Sequence, residues 1–323
     1  MFLSKTPYRL PLAGGGTDID FYYKKEGGFL ISASISEYMY TYISLRPFEK
    51  ESLIQTTDTQ FVDNNYKIEN ELIRETLKYF KIKDKVHVGC FSTMPTKTGI
   101  GSSSSLIVGL IKAISKFKKI NLNNNQIIKL SYKIEREILG IDGGWQDQIM
   151  ATLGGIRKII INKNGQITTT EININKKILS KFQNKILLVF TKEIRDSSQV
   201  IKSQRMQGPI IIKKYNAIKD LAKSFEMLLK KEKFNSIGKL FHTHWLIKRE
   251  LSAKITNNYL DSIYIKLMRN KSFVGGKIIG AGGGGFFLMV TNSINEMKNF
   301  LKKNKLTFKK LSFEKNGSTI LDG

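Results

Sequence analysis

Apolar residues at Leu106, Ile107, Leu110, Ile111, Ile114 and Phe117 recur every three or four positions, directly after the Gly- and Ser-rich stretch PTKTGIGSSSS. That spacing puts them on one face of a helix, so the chain is predicted to leave a flexible-looking loop and enter a buried or half-buried helix at once. Upstream, residues 29–45 are rich in β-branched and aromatic side chains in partial alternation, which predicts two strands or one long bent one. A helix is predicted over 69–80, and a strand over 85–92 leads into the loop. Downstream, Ile127, Ile128, Leu130, Ile134, Ile138 and Leu139 predict a helix over 127–139 that carries Glu135. The chain then breaks at Asp142, Gly143 and Gly144 and resumes as a further helix with Asp147 at its start. Strands are predicted over 156–162, 165–170 and 186–191.

After Asp196 the pattern changes to long helical segments, over 197–207, 210–230, 234–251 and 257–270. A second glycine-dense stretch, GGKIIGAGGGG, then runs into a strand-like apolar segment, and a last strand is predicted over 305–313. No repeat of 20 to 50 residues is visible. The change of pattern, in a chain of 323 residues with 41% hydrophobic content, predicts a globular protein of two domains.

Charge widens the range of functions before it narrows it. Lys and Arg outnumber Asp and Glu by 53 to 27, a surplus of 26 that suits a nucleic-acid binder, a membrane-surface protein or an enzyme acting on phosphates. Lysine is scattered almost evenly, with no basic block interleaved with aromatics, so no nucleic-acid partner is expected. The apolar run over 278–290 is glycine-rich and shorter than the roughly 20 residues that span a bilayer, and the first residues lack the apolar core of a signal peptide, so no membrane partner is expected. The single cysteine, Cys90, excludes an internal disulfide and fits a reducing, cytoplasmic setting. His242 and His244 without a third ligand are expected to be surface or packing residues rather than a zinc site.

The loop itself carries the candidate chemistry. Gly99 and Gly101 can take positive φ and allow a ligand close to the backbone, and Ser102 to Ser105 offer hydroxyls and a cap. Backbone N–H groups at the helix start have no intrahelical partner, so an anion such as phosphate is stabilised there. The loop lacks the Lys-Ser/Thr ending of a Walker A motif, which disfavours a P-loop NTPase. Gly14, Gly15 and Gly16, followed by Thr17 and Asp18, form either a turn close to a ligand or a tight connection with Asp18 as a cap. Gly282 to Gly285 have no side chains to pack and imply close approach to a ligand or to another segment. Three glycine-dense stretches at the start, middle and end suggest one site assembled from both domains.

These stretches carry a resemblance to the GHMP sugar and metabolite kinases over nearly the whole chain. KTPYRLPLAGGGTD resembles their first motif, PTKTGIGSSSS their phosphate loop and GGKIIGAGGGG their third motif. Within the family, the combination of LAGGGTD, the ER to QDQ segment and GGKIIGAGGGG is most similar to the branch acting on D-glycero-D-manno-heptose 7-phosphate. The resemblance implies an α+β, two-domain GHMP kinase fold, with an N-terminal domain over 1–180, a C-terminal domain over 181–323 and the active site in the interdomain cleft. It implies transfer of the ATP γ-phosphoryl group to an anomeric hydroxyl, with Mg2+ as cofactor and with ATP and a small phosphorylated sugar as partners, in a monomer or homodimer. A GHMP kinase for an unphosphorylated sugar, and a non-catalytic binding protein of this fold, are the alternatives.

By position, the resemblance makes Asp147 the base or orienting carboxylate and Arg9 the cation beside it. Pro95, Thr98, Gly99, Ile100, Gly101, Ser102, Ser103, Ser104 and Ser105 become the ATP loop, and Ser103 and Glu135 the metal ligands. Gly15, Gly16, Thr17, Asp18, Gly144, Arg195, Gly282 and Gly283 become the substrate contacts. Phosphoryl transfer needs positioning and charge neutralisation more than covalent help, so a hydroxyl-orienting carboxylate, a metal and backbone donors suffice.

Overall fold

β-Branched and aromatic residues over Gly28–Leu45 form one unbroken strand of 18 residues in the computed structural model, which describes residues 1–194 and 197–321. In chain order the strands are β1 (Phe2–Ala13), β2 (Gly28–Leu45), β3 (Ser52–Gln55), β4 (Thr59–Val62), β5 (Val86–Ser92), β6 (Ile156–Ile161), β7 (Ile167–Glu171), β8 (Ile186–Phe190), β9 (Phe273–Ile278), β10 (Phe286–Thr291), β11 (Phe308–Lys310) and β12 (Thr319–Leu321). The long strand organises the first sheet. β1 runs antiparallel along one side of β2, while the opposite side pairs with β6 over its first half and with β5 over its second. The path is β12-β1-β2-β5-β3-β4, with β7 added on β6. The second sheet, in the order β11-β8-β10-β9, is wholly antiparallel.

Alternation along β8 and β10 divides the interior. Leu188, Phe286, Leu288 and Val290 join the large core that also contains Tyr8, Leu10 and Ile107. Leu187, Val189, Phe287 and Met289 face a second core with Trp245, Tyr264 and Leu267. A period of two thus lets one sheet stand between two apolar layers. The fold is mixed α+β with two sheets, and no helix among the described residues is long and apolar enough to cross a membrane.

The predicted phosphate-loop helix is Ser102–Phe117, buried nearly all round and laid across β1 and β2. Gly109 makes that contact possible, because a Cβ there would meet Ser4 Oγ at 2.7 Å and Thr6 Oγ1 at 2.8 Å. The helix predicted over 127–139 is an α-helix only over Asn124–Tyr132 and continues as a π-helical turn over Lys133–Ile138. A π-turn adds a residue per turn and re-aims the side chains that follow. The helices Lys176–Gln183 and Ile294–Lys303 and the short strands β3, β4 and β12 lie outside the sequence expectations. The strand predicted over 305–313 shrinks to the three residues of β11. His242 bonds Tyr264 and His244 is buried, so both pack as expected.

Candidate active site

β1 delivers Arg9 to the end of the Ser102–Phe117 helix. The Arg9 N–H donates to the Ile100 carbonyl at 3.1 Å, which pins the strand to the loop. The nearly buried guanidinium forks onto Asp147, with Nε donating to Oδ1 at 2.6 Å and Nη2 to Oδ2 at 2.9 Å. Its third edge, Nη1, donates to the Gly99 carbonyl. One planar cation therefore connects strand, loop and the start of the Gln146–Leu153 helix, a task the five fixed donors of arginine perform and a lysine cannot.

Asp18 is buried at 5% exposure and accepts from the Gln146 N–H at 2.9 Å, so it caps the helix that carries Asp147 rather than its own. Burial pushes its carboxyl above the ordinary value of 3.8, opposed by the Gln146 N–H and reinforced by the Asp147 charge. Gly144 is required beside it, because a Cβ would overlap the Asp18 carboxylate.

The loop takes its shape from glycine. Gly99 and Gly101 have φ of 79° and 80°, and a Cβ on Gly99 would sit 2.8 Å from the Ile279 carbonyl. Gly101 occupies the cap position with no side-chain hydrogen bond, which leaves the helix start to its backbone N–H groups. Behind the loop, the π-turn points Glu135 inward to complete burial, where its carboxylate accepts from Ser103, from Ser104 at 2.6 Å and from Gln148 at 2.6 Å.

Over residues 68–155 the chain matches the family described as GHMP kinases N terminal domain. It is 31% identical to the D-glycero-alpha-D-manno-heptose 7-phosphate kinase of Campylobacter jejuni over 333 residues, which cover 97% of each chain. The chain belongs to the GHMP kinases. It is also 29% identical to the mevalonate kinase of Methanocaldococcus jannaschii, over 72% of this chain and 71% of that one. In structure it resembles a D-glycero-D-manno-heptose 1-phosphate kinase from Bacteroides thetaiotaomicron, with a TM-score of 0.81 over 100% of this chain and 99% of that one at 20% identity, a likeness of fold. As a GHMP kinase it is an ATP-dependent phosphotransferase with an alcohol acceptor.

In this GHMP kinase, a cavity of about 540 Å³ opens beside Arg9 and Asp147, walled by the phosphate loop, the Gly280–Ala281 turn and Lys248. Of the residues expected at the site, Arg9, Gly15, Gly16, Asp18, Gly99, Gly101, Ser102, Ser103, Gly144 and Asp147 line it. Others stand behind the wall. Ile100 is in the core, Thr98 donates to the Pro95 carbonyl, Ser105 donates to Pro7, and Thr17 donates to Gly14 and Phe29. Gly282 and Gly283, expected as substrate contacts, do not line the cavity. Gly282 packs on Ile255, Gly283 donates to the Ile255 carbonyl, and Gly280 and Ala281 reach the cavity instead. Close packing between segments also holds Gly284 on the Glu193 backbone and Gly285 on Thr98. Arg195 lies outside the described residues.

Three groups in the wall escape sequence reasoning. Arg136, brought round by the π-turn, pairs with Glu135 at 3.5 Å and donates to the Ile141 carbonyl at 3.2 Å. Gln204 and Tyr215 are buried and bonded to each other at 2.7 Å. Lys248 enters from the Phe234–Arg249 helix. In sequence, the only hint was an Arg directly after Glu135; the other positions read as ordinary helix.

Proposed function

We propose that this GHMP kinase transfers the γ-phosphoryl group of ATP to the C1 hydroxyl of D-glycero-D-manno-heptose 7-phosphate, giving the 1,7-bisphosphate for nucleotide-activated heptose synthesis. The observation that carries the reading is the convergence of the Arg9–Asp147 pair, Asp18 and the phosphate loop on one cavity. The choice of sugar is supported by the alignment with the Campylobacter kinase over 97% of each chain.

In this reading Asp147 orients the C1 hydroxyl and accepts its proton, since both its oxygens are held in place by Arg9 while the side chain stays open to the cavity. Arg9 faces the charge that develops on the moving phosphoryl group. Asp18 accepts from a sugar hydroxyl, with Gly15, Gly16 and Gly144 letting the ring approach the backbone. The N–H groups of Ser102 and Ser103 bind phosphate oxygens at the helix start.

Ser103 and Glu135 fit a magnesium ion, because a hydroxyl and a carboxylate meet there and Mg2+ takes one or two protein oxygens and fills its shell with phosphate and water. Bound there, it would neutralise the β- and γ-phosphate charge. We take residues 1–180 and 181–323 as the two functional lobes and place the enzyme in the cytoplasm, consistent with its one free thiol, Cys90.

The test is ADP release with ATP and Mg2+ over the heptose 7-phosphate, the unphosphorylated heptose, sedoheptulose 7-phosphate, fucose and galactose. Turnover confined to the heptose 7-phosphate is expected. Preference for an unphosphorylated sugar would reassign the substrate and keep the chemistry, and silence across the panel with ATP still bound would overturn the reading.

A further inference from the structure

Lys248 lies in the last turn of the Phe234–Arg249 helix, where a lysine ordinarily extends its stem and keeps its ammonium in water. Here it is 7% exposed and turned into the cavity wall. Its Nζ donates to the Ile278 carbonyl at 3.3 Å and to the Gly280 carbonyl. Gly280 packs directly on Gly99, where a Cβ on either would meet the other's backbone. The ammonium is therefore anchored at the junction of the third-motif loop and the phosphate loop.

An ammonium has three N–H donors and no acceptor. Two of them are used by the two carbonyls, and among the described residues no third acceptor for Nζ occurs. The charge that acts on it is Arg9 from β1, while it acts in turn on His244 of its own helix and Lys277 of β9, none of them an anion. As a neutral amine it is satisfied by the two carbonyls, but once protonated it has a third N–H and a charge that call for an anion on the cavity side.

We propose that Lys248 is a ligand of the ATP phosphates, giving its third N–H to a phosphate oxygen while the other two hold the glycine loop in place. This rests on ATP being the phosphoryl donor. Lys277 provides the contrast, because it is equally buried but bonds the Leu12 carbonyl at 2.8 Å, lies over the Phe241 ring and does not reach the cavity.

Protonation distinguishes a phosphate ligand from a mere packing residue. Burial, with a smaller push from Arg9, lowers the Lys248 amine to about 7. At pH 8 most molecules then carry a neutral amine, and arrival of the anion draws a proton from solvent onto Nζ, with no bond in the nucleotide changed. Calorimetric titration with Mg2+ and a non-hydrolysable ATP analogue, in two buffers of different ionisation heat, reads that proton directly. Proton uptake on binding is expected at pH 8 and less of it at pH 6, because burial lowers the amine. K248M is expected to abolish the uptake and weaken binding about tenfold or more, and K248R to bind without uptake because its charge is permanent.

Equal heats in both buffers for the unmodified protein at every pH from about 6 to 10 would overturn the proposal, since an anion bound to the amine must raise its pKa wherever it starts, and this arm needs no variant to fold. A K248M protein that keeps normal affinity and normal uptake would overturn it equally. In either case, continued turnover of a sugar would leave the kinase reading standing, whereas failure to bind the nucleotide at all would remove both.

Discussion

Arg9 and Asp147, 138 positions apart in the chain, meet through two near-parallel hydrogen bonds of 2.6 and 2.9 Å, and the same guanidinium holds the Gly99 carbonyl. A carboxylate gripped in this way has a fixed direction, which is what a group that must meet one hydroxyl requires. Asp147→Asn keeps the shape but places an amide against one of the donors of Arg9. We expect kcat to fall by about 10³ or more, with nucleotide affinity within about threefold of the unmodified enzyme. Parallel loss of turnover and nucleotide binding, measured by steady-state kinetics and calorimetry, would assign Asp147 to structure alone.

Ser103 reaches both the cavity and Glu135. If it helps to hold the metal, Ser103→Ala raises the Mg2+ concentration needed for half-maximal rate severalfold while the fold persists, since only a hydroxyl is removed from a partly open position. A Mg2+ titration at saturating ATP that superimposes on the original would remove Ser103 from the metal site.

Gly285 has φ of 90°, and a Cβ there would run into the Thr98 backbone. Strain and overlap act together, so Gly285→Ala is expected to cost about 2 kcal/mol or more. For a chain of this size that lowers Tm by several degrees. Because Thr98 belongs to the phosphate loop, nucleotide affinity should fall as well. An unchanged Tm would mean that the two segments can separate without cost.

Asp18 links stability to pH. Its folded-state carboxyl titrates above the ordinary value of 3.8 because burial penalises the charge. Between the two values the native state binds more protons than the unfolded one, so this residue makes stability fall as pH rises through that window, with the full loss present above it. Asp18→Asn retains an oxygen for the Gln146 N–H and removes the charge. We expect the variant to be the more stable protein at pH 8, the advantage to shrink toward pH 4, and sugar affinity to drop. Urea denaturation at both pH values decides it, and a variant less stable than the original at pH 8 would contradict the account.

The loop over 95–105 and its helix are legible in sequence because two local signals coincide there, glycine and serine composition followed by apolar spacing of three and four. Long helices such as Pro209–Lys230 are legible for the second reason alone. The π-turn at Lys133–Ile138 is not, since Ile134, Ile138 and Leu139 suit an α-helix equally well and the extra residue per turn leaves no mark in their spacing. Arg136 and Lys248 are hidden for a related reason: a basic residue on a helix ordinarily belongs to the solvated face, and only the tertiary arrangement turns these two inward. At Gly282 and Gly283 glycine marks close approach but cannot say to what, and the neighbour that the fold brings there is Ile255. The three-residue β12 is too short to carry a pattern of its own.

That small strand has a consequence for how the enzyme comes into being. β12 pairs with the outer side of β1, and Ser318 meets Thr6 across 312 positions of chain at 2.7 Å. The strand that bears Arg9 is thus synthesised long before its edge partner, and that edge stays open until the residues near 320 arrive. Contacts of such sequence separation form slowly, and an open edge invites pairing with other chains in the interval. The stretch of β1 that β12 covers, Leu3 to Lys5, is therefore open to pairing with other chains until synthesis reaches its partner, so the interval of aggregation risk closes only with that last pairing.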